Sequence, residues 1–350
     1  MTELCIATRG SKLALWQAEY TRAELCRRDP ELQVELLVVK TEGDRVLDRA
    51  LSEIGGKGLF TKEIEDALLD GRAQVAVHSM KDLPAHGPAD LVIAAVPARA
   101  DPRDALLLAP AFRHLLDAGA AHSGAPAAAS ASELLRRLPS GARVGTSSLR
   151  RVCQLRRLRP DLTIVPLRGN VDTRLRKLQA GELDAEVLAA AGLLRLGLGE
   201  HIAACFTAPE MVPACGQGAL AIQCRADDKR TRERLAELAD AATTLTTAAE
   251  RAFSLRLGGS CQTPLGAHAR LLAGGHPFAG PGAAAGEPMR LQLAGMVGSV
   301  DGTQLVHSEC EASLGEGARV AGPTAIIAAE QLGKALAEQL LALGAAELLR

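Results

Sequence analysis

A chain of 350 residues, 47% of them hydrophobic, carries enough apolar material for two or three domains with ordinary cores. A formal net charge of −1 argues against a protein held to nucleic acid or to a membrane surface by charge alone, and an aromatic content of 2% leaves single-stranded nucleic acid little to stack on. The first residues, MTELCIATRG, lack a basic stretch followed by an apolar run, and no segment approaches roughly eighteen uninterrupted apolar residues, so neither export nor membrane insertion is expected and the cytoplasm is the default location. Eight cysteines without a C-x-x-C pair fit reduced thiols, most of them small core residues, better than a disulfide framework or a zinc site.

In chain order, short apolar runs alternate with helical patterns. Strands are predicted at Leu4 to Thr8, Val34 to Lys40, Val75 to His78, Leu91 to Val96, Arg143 to Gly145, Leu162 to Leu167 and Ala185 to Ala189. Between them the spacing predicts helices over Ser11 to Arg28, Thr61 to Leu69, Ser147 to Arg159 and Val171 to Gln179. Such alternation means an α/β fold with mainly parallel sheets. Proline, glycine and charge interrupt the pattern at 97–105 and again at 212–220. A chain that leaves one lobe, builds a second and returns crosses at two such points, which is hinge geometry with a cleft for a ligand. The expected units are residues 1–98 with 214–238, residues 99–213, and a third, α+β, unit over 239–350. That third unit has a helix at Thr247 to Leu257, strands near Arg290 to Val297 and Gln304 to Cys310, and a long helix from Thr324. Tracts 117–132 and 273–288, rich in Ala, Gly and Pro, read as surface insertions without chemistry.

The candidate chemistry gathers at strand ends. Between Arg143 and Lys177 stand ten basic residues and only two acidic ones, Asp161 and Asp172. In VGTSSLRRVCQL, Thr146, Ser147 and Ser148 join a strand to a helix, so a hydroxyl is expected to cap a terminus whose N–H groups attract anions. Arg150 and Arg151 then fall in the first turn, where the helix dipole disfavours cations unless an anion lies there. VPLRGNVDTRLRK repeats the arrangement with Arg168 and Arg174, and IATRGSKLAL offers Arg9 and Ser11. Guanidinium forks converging on a carboxyl edge suit a ligand with several anionic groups. VAVHSMKDLP places Lys81 and Asp82 in a turn after a strand, where the carboxylate can stabilise a developing positive charge or move a proton. GGKGLF, at 55–60, lacks the spacer and the Ser or Thr of a phosphate loop and reads as a glycine loop near the cleft. No histidine pair has metal-ligand spacing and no G-x-S-x-G is present, so no metal and no serine hydrolase chemistry are expected. LGGSCQTPLG sets one thiol, Cys261, in a glycine-containing turn.

Taken in order, ATRGSKLALWQA, GGKGLFTKEIEDALL, VHSMKDLP, DPRDALL, GTSSLRRVCQLRRLRPDL, RGNVDTRLRKL, AAAGLLRLGL, PACGQGALAI and the cysteine turn resemble the hydroxymethylbilane synthase (porphobilinogen deaminase) family over residues 5 to 266. The resemblance implies two periplasmic-binding-protein-like α/β domains joined by hinges, a smaller C-terminal α+β domain, and a monomer. It implies a transferase that joins four porphobilinogens head to tail on a dipyrromethane held by a thioether to Cys261, releases ammonia, and hydrolyses off a linear tetrapyrrole. Carried over by position, Asp82 matches the catalytic carboxylate that stabilises the cationic azafulvene. Lys81, Asp82, Thr146, Ser148, Arg150 and Arg151 match groups that hold the cofactor, while Arg9, Ser11, Gln17, Arg168, Arg174 and Arg195 match those that bind substrate. Ser260 departs from the resemblance, standing where a further glycine is expected. The competing reading is a non-catalytic two-lobed binding protein for a small anion, which has no need of Asp82 or of a reachable Cys261.

Overall fold

A computed structural model describes residues 3–41, 61–84, 86–119, 129–260, 263–273, 276–277, 289–299 and 301–349. The glycine segment 55–60, Cys261, and residues 120–128 and 278–288 of the two Ala/Gly/Pro-rich tracts lie outside these.

Strand β1 (Glu3–Arg9) leads into α1 (Lys12–Arg28), whose first turn is capped by Ser11, the hydroxyl accepting from Ala14 N at 3.3 Å. The helix buries Ala18 and Leu25, and the chain returns as β2 (Gln33–Val39), parallel to β1 over seven register pairs. Helix α2 (Lys62–Leu69), β3 (Val75–Ser79) and β4 (Leu91–Ala95) follow. After the first crossing come β5 (Asp104–Leu108), α3 (Ala131–Arg137), β6 (Arg143–Gly145), α4 (Leu149–Leu158), β7 (Thr163–Val165), α5 (Val171–Gln179), β8 (Ala185–Ala189), α6 (Ala190–Arg195) and β9 (Ala204–Cys205). The second crossing returns the chain to β10 (Leu220–Arg225) and α7 (Lys229–Ala236).

The two five-stranded sheets have orders β2-β1-β3-β10-β4 and β7-β6-β8-β5-β9, the same topology twice. The expectation of mainly parallel sheets holds with one exception in each. Four strands of each sheet run in the same sense and one is reversed: β10 runs antiparallel to its neighbours β3 and β4, and β5 antiparallel to β8 and β9. The register supplies the reason. Leu220 opposes Ser79 and Asp104 opposes Ala189, so each crossing delivers the chain to the carboxyl edge of the other lobe, from where it can only run backwards. Neither β5 nor β10 was among the predicted strands.

The crossings lie side by side. Ala100 N donates to Gly218 O at 3.1 Å, and Arg99 Nε donates to Gln217 O at 2.8 Å. Gly218 has φ +87°, and a Cβ there would stand 2.5 Å from Ala100 O. Replacing Gly218 by alanine therefore forces both a left-handed side chain and a backbone clash, and a loss of about 2 kcal/mol or more is expected in the urea midpoint.

The third domain opens with α8 (Ala241–Arg256), capped by Asp240 and starting six residues before the predicted Thr247, because a threonine-rich first turn carries little apolar periodicity. Strands β11 (Leu265–Ala273), β12 (His276–Pro277), β13 (Met289–Gly298) and β14 (Leu305–Ser313) form an antiparallel sheet in the order β12-β11-β13-β14. Helix α9 (Pro323–Ala342) and α8 cover one face of it around Phe253, Leu293 and Leu336. The other side meets α4 of the second lobe, where a Cβ on Gly298 would touch Cys153 Sγ at 2.6 Å. The last residues of the tract at 117–132 are not loop: Ser130 makes a capping box with Glu133, and Ser132 is buried in α3. The whole is a mixed α/β protein with two α/β lobes of the same sheet topology and a smaller C-terminal domain. No helix among the described residues is long and apolar enough to cross a membrane.

Candidate active site

Because β1, β3, β6 and β7 all end at carboxyl edges facing the crossings, their following turns share one cleft. On the first lobe, the turn Met80–Asp82 continues β3 and places Asp82 in a small cavity of about 60 Å³ together with Arg9, Ser11, Gln17 and His78. Asp82 has no hydrogen-bond partner among the described residues, so its oxygens are available to a ligand. The other polar groups are more constrained. Gln17 is buried and donates to Ser79 Oγ at 2.9 Å, while the Ser11 hydroxyl caps α1. His78 Nε2 donates to Gln223 Oε1 at 3.1 Å, and burial lowers the pKa of the ring to about 4, so it is a neutral wall of the cavity.

From Lys81 a chain of polar contacts crosses to the second lobe. Its ammonium donates to Gln217 Oε1 at 3.2 Å, and the Gln217 amide donates to Pro102 O at 2.7 Å and to Asp104 Oδ1 at 3.1 Å. Asp104, wholly buried on β5, then receives both guanidinium groups of α4. Arg150 reaches its two oxygens at 2.7 and 3.1 Å, and Arg151 donates from Nε at 2.9 Å. Further donors go to backbone, Arg150 to Val212 O at 2.7 Å and Arg151 to Val187 O at 2.9 Å. Burial raises the Asp104 pKa, but Arg150 and Arg151 outweigh it and hold the carboxyl well below the usual range. Burial and Arg151 lower the Lys81 pKa to about 8.

The sequence reading of the first turn of α4 is corrected in two respects. The anion that the arginines required is present in the protein itself, as Asp104, and both side chains are buried beside it. No hydroxyl caps the helix. Ser148 holds the cap position without a side-chain bond, Thr146 Oγ1 accepts from Ser148 N at 3.3 Å, and Ser147 Oγ is tied to Leu167. At the second junction the expectation of a capped turn holds, with Asn170 accepting from Thr173 N at 3.1 Å. Arg174 donates from Nε to Gly169 O at 2.9 Å, and half-buried Arg168 makes no ion pair or side-chain hydrogen bond among the described residues. Arg195 bridges the lobes: it donates to Gly218 O at 2.7 Å and its guanidinium lies 5.6 Å over the ring of Trp16, which stacks on Tyr20. Lys12 and Asp172 pair across the same gap at 2.8 Å.

Around the cleft, Arg9, Lys81, Arg150, Arg151, Arg168, Arg174 and Arg195 outnumber Asp82, Asp104 and Glu186, leaving surplus positive charge. This and the buried Arg150 Nε, which has no acceptor among the described residues, fit a multiply carboxylated group. No cluster of His, Cys, Asp and Glu able to hold a metal ion is found among the described residues. Sequence reasoning missed Asp104, Gln217 and Trp16 as members of the site. It also missed Glu250 of α8, which ties the crossings to the third domain by accepting from Arg99 at 2.7 and 3.0 Å, Gly216 N at 2.6 Å and Ala269 N at 2.8 Å. A larger cavity of about 470 Å³, between α4 and the third-domain sheet, is lined by none of the residues singled out from sequence.

Comparison with known proteins gives a family. A model described as porphobilinogen deaminase, dipyromethane cofactor binding domain, matches residues 4–233, and one described as porphobilinogen deaminase, C-terminal domain, matches residues 244–342. Among solved structures, the chain is similar to the BenM effector binding domain with its effector benzoate at 15% identity, covering 68% of this chain and 90% of that one with a TM-score of 0.40. The periplasmic aliphatic sulphonate binding protein SsuA from Escherichia coli is similar at 14% identity, covering 73% and 70% with a TM-score of 0.37.

Proposed function

The chain belongs to the porphobilinogen deaminase family, and on that premise we propose which of its residues carry the reaction. The enzyme is a transferase that condenses four porphobilinogen molecules head to tail, releases ammonia, and hydrolyses the product to the linear tetrapyrrole hydroxymethylbilane. Its dipyrromethane cofactor, when bound, supplies the pyrrole terminus to which the first substrate is joined.

The observation that carries the assignment of roles is the meeting of Asp82 with Arg9, Ser11 and Gln17 in one cavity, beside the arginine-rich second lobe. Asp82 is the catalytic residue: its unengaged oxygens face the site, where they stabilise the cation left on the substrate as ammonia departs and shuttle the proton lost on ring coupling. Lys81, oriented by Gln217, holds a cofactor carboxylate together with Arg150 and Arg151, whose charge exceeds that of Asp104. Thr146 and Ser148 at the start of α4 add hydroxyl groups to the same site. Arg9, Ser11, Gln17, Arg168, Arg174 and Arg195 take the acetate and propionate of incoming substrate. One guanidinium–carboxylate contact of this kind contributes on the order of 1–3 kcal/mol. The cofactor is joined through a thioether to Cys261, in the segment between Gly258 and Pro264. The working units are residues 1–98 with 214–238, 99–213 and 239–350, and the enzyme acts as a cytoplasmic monomer.

Intact mass tests the tether directly. The purified holoenzyme is expected to exceed the chain mass by two linked pyrrole units, and Cys261→Ala to lack the increment and turnover together. An unmodified wild-type chain with full activity, or a Cys261→Ala chain that keeps the increment, would refute the assignment.

A further inference from the structure

Behind the arginines of the second lobe lies a carboxyl group that the reaction described above does not use. Glu186, the second residue of β8, is 0% exposed, and neither side-chain oxygen has a hydrogen-bond partner among the described residues. Its strand neighbours in register are Gly145 on β6 and Leu107 on β5, neither of them titratable. The charged groups that face it are Arg174 from α5 and Arg151 from α4. Neither closes an ion pair with it: Arg151 is spent on Asp104 and Val187 O, and Arg174 donates to Gly169 O. Leu175, Leu178 and Leu188 supply apolar surroundings on this face of the sheet.

A buried carboxylate without hydrogen bonds keeps its charge only through the field of nearby cations. Burial raises the pKa of Glu186 to about 7 even with Arg174 and Arg151 opposing it. Burial disfavours the cation of Arg174, Glu186 favours it, and the like charges of Arg151 and Arg168 add to the effect of burial. A ligand carboxylate docking on Arg174 neutralises part of the field that keeps Glu186 ionised.

We propose that Glu186 is a positioning residue acting through Arg174, a counter-ion that takes one proton from solvent when a substrate carboxylate docks on that arginine and returns it when the carboxylate leaves. The exchange frees the full charge of Arg174 for whichever ring occupies it. The proposal rests on the reading that Arg174 binds substrate. The sign follows from linkage: the bound state holds more protons than the free state, so affinity falls as pH rises above about 7 and is nearly independent of this group in acid, where Glu186 is already neutral.

The test is the KM for porphobilinogen of the holoenzyme from pH 6 to 9. With Glu186→Gln, the rise of KM above pH 7 is expected to be shallower than in wild type by up to about tenfold per pH unit, with kcat unchanged at pH 7. Glu186→Leu is expected to give the same shallower slope and replaces the glutamine variant if that does not fold. Equal slopes in wild type and both variants overturn the role of Glu186. Arg174→Gln separates the two levels: a raised KM keeps the substrate reading, whereas an unmoved KM removes the premise itself.

Discussion

Replacing Asp104 by alanine is expected to destabilise the protein by on the order of 3–5 kcal/mol, the cost of stranding buried cations without their partner. Arg150 and Arg151 are 4% and 6% exposed, so neither can turn to water once the carboxylate is gone. Gln217 loses an acceptor as well, and with it the orientation it gives to Lys81 across the cleft. Activity is therefore expected to fall in whatever fraction remains folded. Asp104→Asn keeps the shape but not the charge and is expected to lie between the two. Urea unfolding at neutral pH measures the difference. Because the Asp104 pKa is held below its ordinary value, its contribution is present above that value and is lost as pH falls through the folded one, so variant and parent should converge in acid. An alanine variant as stable as the parent at pH 7 would show that the two guanidinium groups find other acceptors.

Asp82→Asn is expected to leave the fold and melting temperature close to those of the parent, while kcat falls by roughly 10²–10⁴, the usual worth of a positioned acid–base and charge-stabilising group. The substitution preserves size and hydrogen-bonding capacity and removes the negative charge, and Asp82 holds no structural hydrogen bond among the described residues that the change would break. KM should move much less than kcat if the carboxylate acts on the developing cation rather than on the bound substrate. Circular dichroism establishes folding, and steady-state rates decide the matter. Undiminished turnover would take the catalytic role away from this residue.

The contrast between these two aspartates marks how far the sequence could be read. Asp82 stands in a strand-to-turn motif next to Lys81, and its place in the site follows from β3 ending at the carboxyl edge. Asp104 opens an apolar run in a segment whose prolines and charges read as a boundary, and Arg150 lies 46 residues further on. No local periodicity signals a pairing of that range. The same limit hid β5 and β10, which are reversed by tertiary placement rather than by any feature of their own residues. Glu186, within LDAEVLAAA, looks like an exposed position of a half-buried strand, and only the packing of α5 makes it a buried one. The arginines were legible because a cation beside a strand-end glycine or helix start is locally unusual, yet their degree of burial was not. Arg195 was recognisable by position, whereas its seat over Trp16 depends on both lobes being in place.

The way each lobe borrows a reversed strand bears on how the chain comes off the ribosome. Strand β10 lies between β3 and β4, so while residues 96–219 are being synthesised β4 has no hydrogen-bonded neighbour in its own sheet. The amino-terminal lobe waits, with a gap between β3 and its edge strand, until Leu220–Arg225 emerge and fill it. The second lobe, whose borrowed strand comes first in its own sequence, is free to finish earlier, so the order of maturation runs against the order of synthesis.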